Sequence, residues 1–155
     1  MPPELTTFLF GMTPIGEIRA AVIWGMTYGK LSSAEALFWG YLGNVLVAVL
    51  IVLLLPKIAE FARQHFQPIN HIFRKVFAKT RKKHSKNFLR FAELSLLILV
   101  AVPLPGSGAY TGALVAWLFG VKPKVAIPLI AVGIFLAGLI VLGLTNGGLA
   151  FAKSF

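Results

Sequence analysis

The chain has 155 residues, 57% of them hydrophobic and 13% charged, with a net charge of +10 and a mean hydropathy of +0.83. Soluble domains carry about 25% charged residues, so this composition describes an integral membrane protein with little mass outside the bilayer. Cysteine is absent, which excludes disulfides, thiolate metal sites and cysteine nucleophiles, and all five acids are Glu.

Leu5 to Gly29 is apolar and of spanning length, but Pro14-Ile15-Gly16-Glu17-Ile18-Arg19 interrupts it. It carries no basic leader of the signal-peptide kind. Two full spans need about 40 residues plus a turn, so the segment is one kinked span or a re-entrant hairpin. A broken helix frees N–H and C=O groups that lipid cannot satisfy, so the break must be buried in protein or line a polar cavity. Ala36 to Leu55 is uncharged and spans the bilayer, with Asn44 as a lone amide beside Gly40 and Gly43. Residues 56–90 hold ten of the fifteen basic residues and are expected in the cytoplasm. Within them Ile69, Ile72, Phe73, Val76 and Phe77 recur at helical spacing among Arg and Lys, the pattern of an amphipathic helix lying on membrane lipids. On this reading the charge of +10 reports topology, with no nucleic-acid partner. Phe91 to Gly120 is a second broken apolar stretch, interrupted at Pro105-Gly106-Ser107-Gly108-Ala109-Tyr110, and Val125 to Thr145 is a second uncharged span.

Pro14 to Gly29 and Pro105 to Gly120 have the same spacing of 15 residues, and an uncharged span follows each. Paired Gly/Pro interruptions in corresponding positions of two halves point to a transporter site. Lys122 and Lys124 choose between the readings. A simple second span would leave them outside, whereas a hairpin returns them to the cytoplasm. Lys30 lies outside on either reading. The expected fold is therefore all-α and integral to the cell membrane, as two inverted repeats. Each repeat is a re-entrant helical hairpin plus one transmembrane helix, with the basic helix between them. The expected limits are 1–55 for repeat one, 56–90 for the cytoplasmic connector and 91–155 for repeat two, within a single membrane domain.

Ionised side chains at bilayer depth cost at least ~2.5–3.5 kcal/mol each and usually serve function. Glu17 suits the positive end of the half-helix that begins at Pro14 and Gly16. Arg19 does not, and asks for Glu17, Glu93 or a bound anion. Residues two apart on a regular helix face opposite ways, so a direct Glu17–Arg19 pair requires irregular backbone. The alternative role for the pair is a structural bridge that pins the hairpin. Glu17 is also a candidate proton carrier, since burial favours a neutral carboxyl and a nearby guanidinium the charged one. In the second break, Ser107 is a candidate N-cap, and Tyr110 and Thr111 are candidate hydrogen-bonding groups. The step from Gly108 to Gly112 admits a close helix and favours a homo-oligomer. The hairpin tips are Pro14, Gly16, Pro105, Gly106 and Gly108. Asn44 and Glu93 complete the candidate site. The three histidines fall in the basic segment, and with no Asp or Cys no zinc site and no Ser-His-Asp arrangement is available. No enzyme activity, metal or cofactor is expected.

Pro14, Glu17 and Arg19, then Gly43-Asn44, then Pro103 with Pro105 to Gly108 resemble the small multi-drug export protein family over nearly the whole chain. That family is more distantly similar to the DedA/VTT membrane proteins. The first resemblance implies export of drug-like compounds. The second implies translocation of phosphorylated lipids such as undecaprenyl phosphate with proton coupling, through acidic and arginine residues of both hairpins. Glu17 and Arg19 match in the first hairpin, but no Arg stands near the second tip. The expected function is a transporter of an amphiphilic substrate, a phosphate-bearing lipid or a drug-like molecule. The alternatives are a membrane lipid-phosphate hydrolase using Glu17 and Ser107, and a structural protein without transport.

Overall fold

Proline and glycine break the apolar stretches into helices of 10 to 33 residues. The computed structural model describes residues 1–65, 86–103 and 108–152, and among them the regular structure is helical throughout. The helices are α1 (Pro3–Met12), α2 (Glu17–Thr27), α3 (Ser33–His65), α4 (Lys86–Ala101), α5 (Ala109–Leu118) and α6 (Pro123–Ala152). The amphipathic stretch Ile69–Phe77 lies outside the described residues, as do Pro105, Gly106 and Ser107.

At 10 and 11 residues, α1 and α2 are each about 15 Å long, half the hydrocarbon thickness of a bilayer. They fold back on each other. The Phe10 and Trp24 rings stack with centroids 5.5 Å apart, where one continuous helix would hold them about 20 Å apart. Thr7 lies against Gly25, where a methyl group would come within 3.0 Å of its Oγ1. In the second half α5, also 10 residues long, lies against α4, with Gly112 facing Val100 and Leu96. Both broken stretches therefore fold as pairs of packed helices, the first pair joined through residues 13–16 and the second lying on either side of the break between Ala101 and Ala109.

The long helices overrun their expected limits. α3 has 33 residues and continues through Pro56, and α6 has 30 and contains Pro128. Residues 56–65 prolong α3 and residues 86–90 begin α4, so the helices run into both ends of the expected 56–90 connector. Proline inside a helix removes one N–H and bends the rod without having to end it. α3 starts at a capping box. The Ser32 N–H and Oγ both donate to Glu35 Oε2, at 2.9 and 2.7 Å, and the Glu35 N–H donates to Ser32 Oγ at 3.3 Å.

Many small residues are buried beside Ile18, Leu96, Ile130 and Ile134, and many large apolar residues face out. Ala21, Ala36, Ala48, Ala109, Ala113 and Ala126 are buried, while Leu42, Leu46, Leu50 and Leu54 form an exposed stripe along α3. Lipid is as apolar as leucine, so helices in a membrane associate through close packing over small side chains. Gly40 and Gly43 of α3 lie against Gly11 and the Phe8 carbonyl, with no room at any of the three glycines for a Cβ. A surface stripe of large apolar residues of this kind belongs against lipid.

The helix contacts follow one rule. α1 and α2 touch each other and both pack on α3, while α4 and α5 touch each other and both pack on α6. α2 crosses to α6, α5 crosses to α3, and α3 packs on α6. Exchanging the first three helices for the last three leaves this set of contacts unchanged.

Candidate functional site

The two hairpin tips meet. Thr13 holds the first break together, its Oγ1 donating to the Phe10 carbonyl at 2.8 Å and accepting the Gly16 N–H at 3.1 Å. Pro14 and Ile15 are exposed at the turn and Gly16 is buried. Glu17 then takes a left-handed backbone, φ +49°. For a residue with a Cβ this costs about 1–2 kcal/mol. The irregularity turns the Glu17 side chain out of helical register, so it reaches both the other hairpin and Arg19.

The Glu17 carboxylate accepts the backbone N–H groups of Ala109 and Tyr110, the first residues of α5. It therefore caps a helix in the other half of the chain. Sequence reasoning placed Glu17 at the start of its own half-helix and gave the second cap to Ser107. Glu17 does stand first in α2, but its carboxylate serves α5, whose N-cap residue is Gly108. Gly108 has φ +136°, and a Cβ there would sit 2.6–2.7 Å from the carboxyl carbon and Oε1 of Glu17. Glycine is needed both for its backbone angle and for the space. The Tyr110 hydroxyl donates to the Met12 carbonyl, a group freed where α1 ends, so a second link joins the hairpins.

Arg19 Nη2 lies 3.7 Å from Glu17 Oε2, longer than the 2.7–2.9 Å of a charge-assisted hydrogen bond. Glu17, Ile18, Arg19, Asn44, Gly108 and Ala109 surround one small space, closed by Val100, Ile134 and Ala137, with no room for a water molecule. Asn44 is 1% exposed. Its Oδ1 has no hydrogen-bond donor among the described residues. An unmet buried acceptor costs about 1–3 kcal/mol.

Glu17, Arg19, Asn44, Gly108 and Tyr110 thus come together. Glu93 is half-buried two turns before the end of α4, and Thr111 is half-buried on α5; neither lines this space. The step from Gly108 to Gly112 packs inside the chain, against Glu17 and Val100, so it offers no surface to a second copy. Thr13 was missed from sequence, although a threonine one residue before a Pro-x-Gly break is a standard turn former. Among the described residues no three His, Cys, Asp or Glu side chains gather to hold a metal ion.

The family model described as "Putative small multi-drug export protein" matches residues 17–140, from Glu17 at the first tip into α6. Neither a curated protein nor a solved structure matches the chain.

Proposed function

The chain belongs to the small multi-drug export protein family, and on that premise we propose that it is a membrane transporter for an anionic amphiphile, with its site at the joined hairpin tips. The observation that carries the reading is the Glu17 carboxylate of one half capping α5 of the other, with Arg19 beside it. A charged pair at this depth costs several kcal/mol to insert, and a purely structural link between two hairpins needs no charge. The guanidinium and the α5 N-terminus both favour an anion, so a phosphate-bearing lipid or an anionic drug-like molecule fits better than a cation.

The set of helix contacts that survives exchange of the two halves supports an inverted repeat, each hairpin dipping into the membrane from an opposite face. In such transporters the substrate sits at the repeat interface and access alternates as the halves rock. Proton coupling follows from the same residues. A protonated Glu17 gains an O–H donor and loses its charge-assisted hold on Ala109 and Tyr110. Asn44 Oδ1, on the wall of the same space, is an acceptor for that O–H. Loss of the cap loosens the tips, and ionisation closes them again.

The test is uptake into proteoliposomes of a fluorescent polyprenyl phosphate and a cationic dye, each with the proton gradient present and collapsed. The expected result is gradient-dependent movement of the phosphate probe alone. Glu17→Gln should abolish its dependence on the gradient, and Arg19→Ala should abolish the movement. Dye movement alone, or phosphate probe movement untouched by both substitutions, defeats the proposal. Release of inorganic phosphate would assign the chain to the hydrolases instead.

A further inference from the structure

Arg19 borders a second cavity that the tip chemistry does not use. An open groove of ≈480 Å3 is lined by Arg19, Ile23, Pro103, Val141, Leu144 and Gly148, within the ~300–1,000 Å3 usual for small-ligand sites. It follows α6 from Val141 to Gly148, about 10 Å of helix. Its wall is apolar apart from Arg19 and Thr145, and the Thr145 hydroxyl is bonded to the Val141 carbonyl. Leu144 is 70% exposed, and among the described residues no heavy atom lies within 4 Å of where a Cβ would stand on Gly143, Gly147 or Gly148. The groove therefore opens sideways, along a helix whose outer face carries exposed Leu136, Leu139 and Ile140.

We propose that this groove is a lateral binding site for an anionic amphiphile arriving from the membrane, its apolar tail along α6 and its head at Arg19. The proposal rests on the transporter reading and names where the substrate first binds. Arg19 supplies the sign, as the one charged residue in the lining among the described residues. Its guanidinium is a planar fork suited to phosphate, and its contact with Glu17 is a loose 3.7 Å. Glu17 keeps two backbone N–H partners at Ala109 and Tyr110, so an incoming anion draws Arg19 away without stranding the carboxylate. The apolar remainder of the groove sets the other half of the ligand's chemistry. A free phosphate ion would use Arg19 and leave the groove empty, whereas an amphiphile uses both.

The experiment is equilibrium binding of radiolabelled dodecyl phosphate to the full chain in phosphatidylcholine nanodiscs, with substrate flux measured in parallel. Saturable binding is expected, weakened about tenfold or more by Arg19→Gln, the scale of one charge-assisted hydrogen bond. Leu144→Trp fills the groove from an exposed position and should weaken binding to a similar degree. Leu139→Trp, exposed on the same helix and outside the lining, should leave it unchanged. Inorganic phosphate and dodecyltrimethylammonium should fail to compete. Non-saturable binding, equal competition by the cation or by inorganic phosphate, or an unaltered Leu144→Trp protein overturns the groove. Saturable binding with these dependences but no flux of any probe would keep the groove and defeat the transporter reading instead.

Discussion

Glu17 holds the two hairpins together in a backbone conformation that opposes it. The left-handed φ of +49° costs about 1–2 kcal/mol for any residue with a Cβ, while the carboxylate caps Ala109 and Tyr110 and pairs with Arg19. The two effects separate by substitution. Glu17→Ala loses the cap and keeps the strain, whereas Glu17→Gly loses the cap and releases the strain. In ordinary helix positions glycine is worse than alanine by about 1 kcal/mol. Here the order should reverse, with Glu17→Gly the more stable of the two by about 1 kcal/mol in thermal or chemical unfolding in detergent. An alanine variant as stable as the glycine variant, or more so, would mean that the backbone is not strained at this residue. The sequence made Glu17 and Arg19 conspicuous because charge is rare in apolar stretches, and it also required irregular backbone if the two were to pair. It did not reveal which helix the carboxylate would cap, because that depends on how the second tip folds against the first.

At the level of helices, glycine position decides what packs where. Gly43 meets the Phe8 carbonyl of α1, and backbone cannot swing aside as a flexible side chain can. Gly147, on the open end of α6, faces nothing within 4 Å. Gly43→Ala should therefore push α1 off α3 and cost about 1–3 kcal/mol, as overpacking does. Gly147→Ala should be neutral or slightly stabilising through helix propensity. Unfolding of both variants in the same detergent checks the contrast, and equal effects would disprove the α1–α3 contact. Sequence marks Gly43 as the neighbour of Asn44, but it does not show that the Phe8 carbonyl lies against it. The helix breaks after Met12 and after Ala101 were legible because proline and glycine act locally. The lengths of α3 and α6 were not, because Pro56 and Pro128 are absorbed within helices that continue past them. The capping box Ser32-x-x-Glu35 is a local signal of the same kind, legible in the sequence.

At the level of the whole molecule, hairpins and simple spans predict different membrane faces, and the absence of cysteine makes the difference measurable. α1 and α2 are each too short to cross a bilayer and lie side by side, so on the proposed hairpin arrangement a chain that enters at Pro2 leaves near Lys30 on the same face. α3 is long enough to cross and carries the chain to the opposite face. On the same arrangement α4 and α5 return the chain near Lys122 to the face it left. α6 crosses once more. Lys30 and Lys122 therefore stand on opposite faces in this arrangement, whereas four simple spans put both on the same face. Single Lys30→Cys and Lys122→Cys proteins, probed in intact cells with a membrane-impermeant thiol reagent, should give opposite answers. Lys30→Cys should be labelled from outside, and Lys122→Cys only after the membrane is opened. The basic residues of 56–90 favour that orientation. Labelling of both positions from the same side would remove the opposed hairpins, and with them the geometry in which access to the tips alternates.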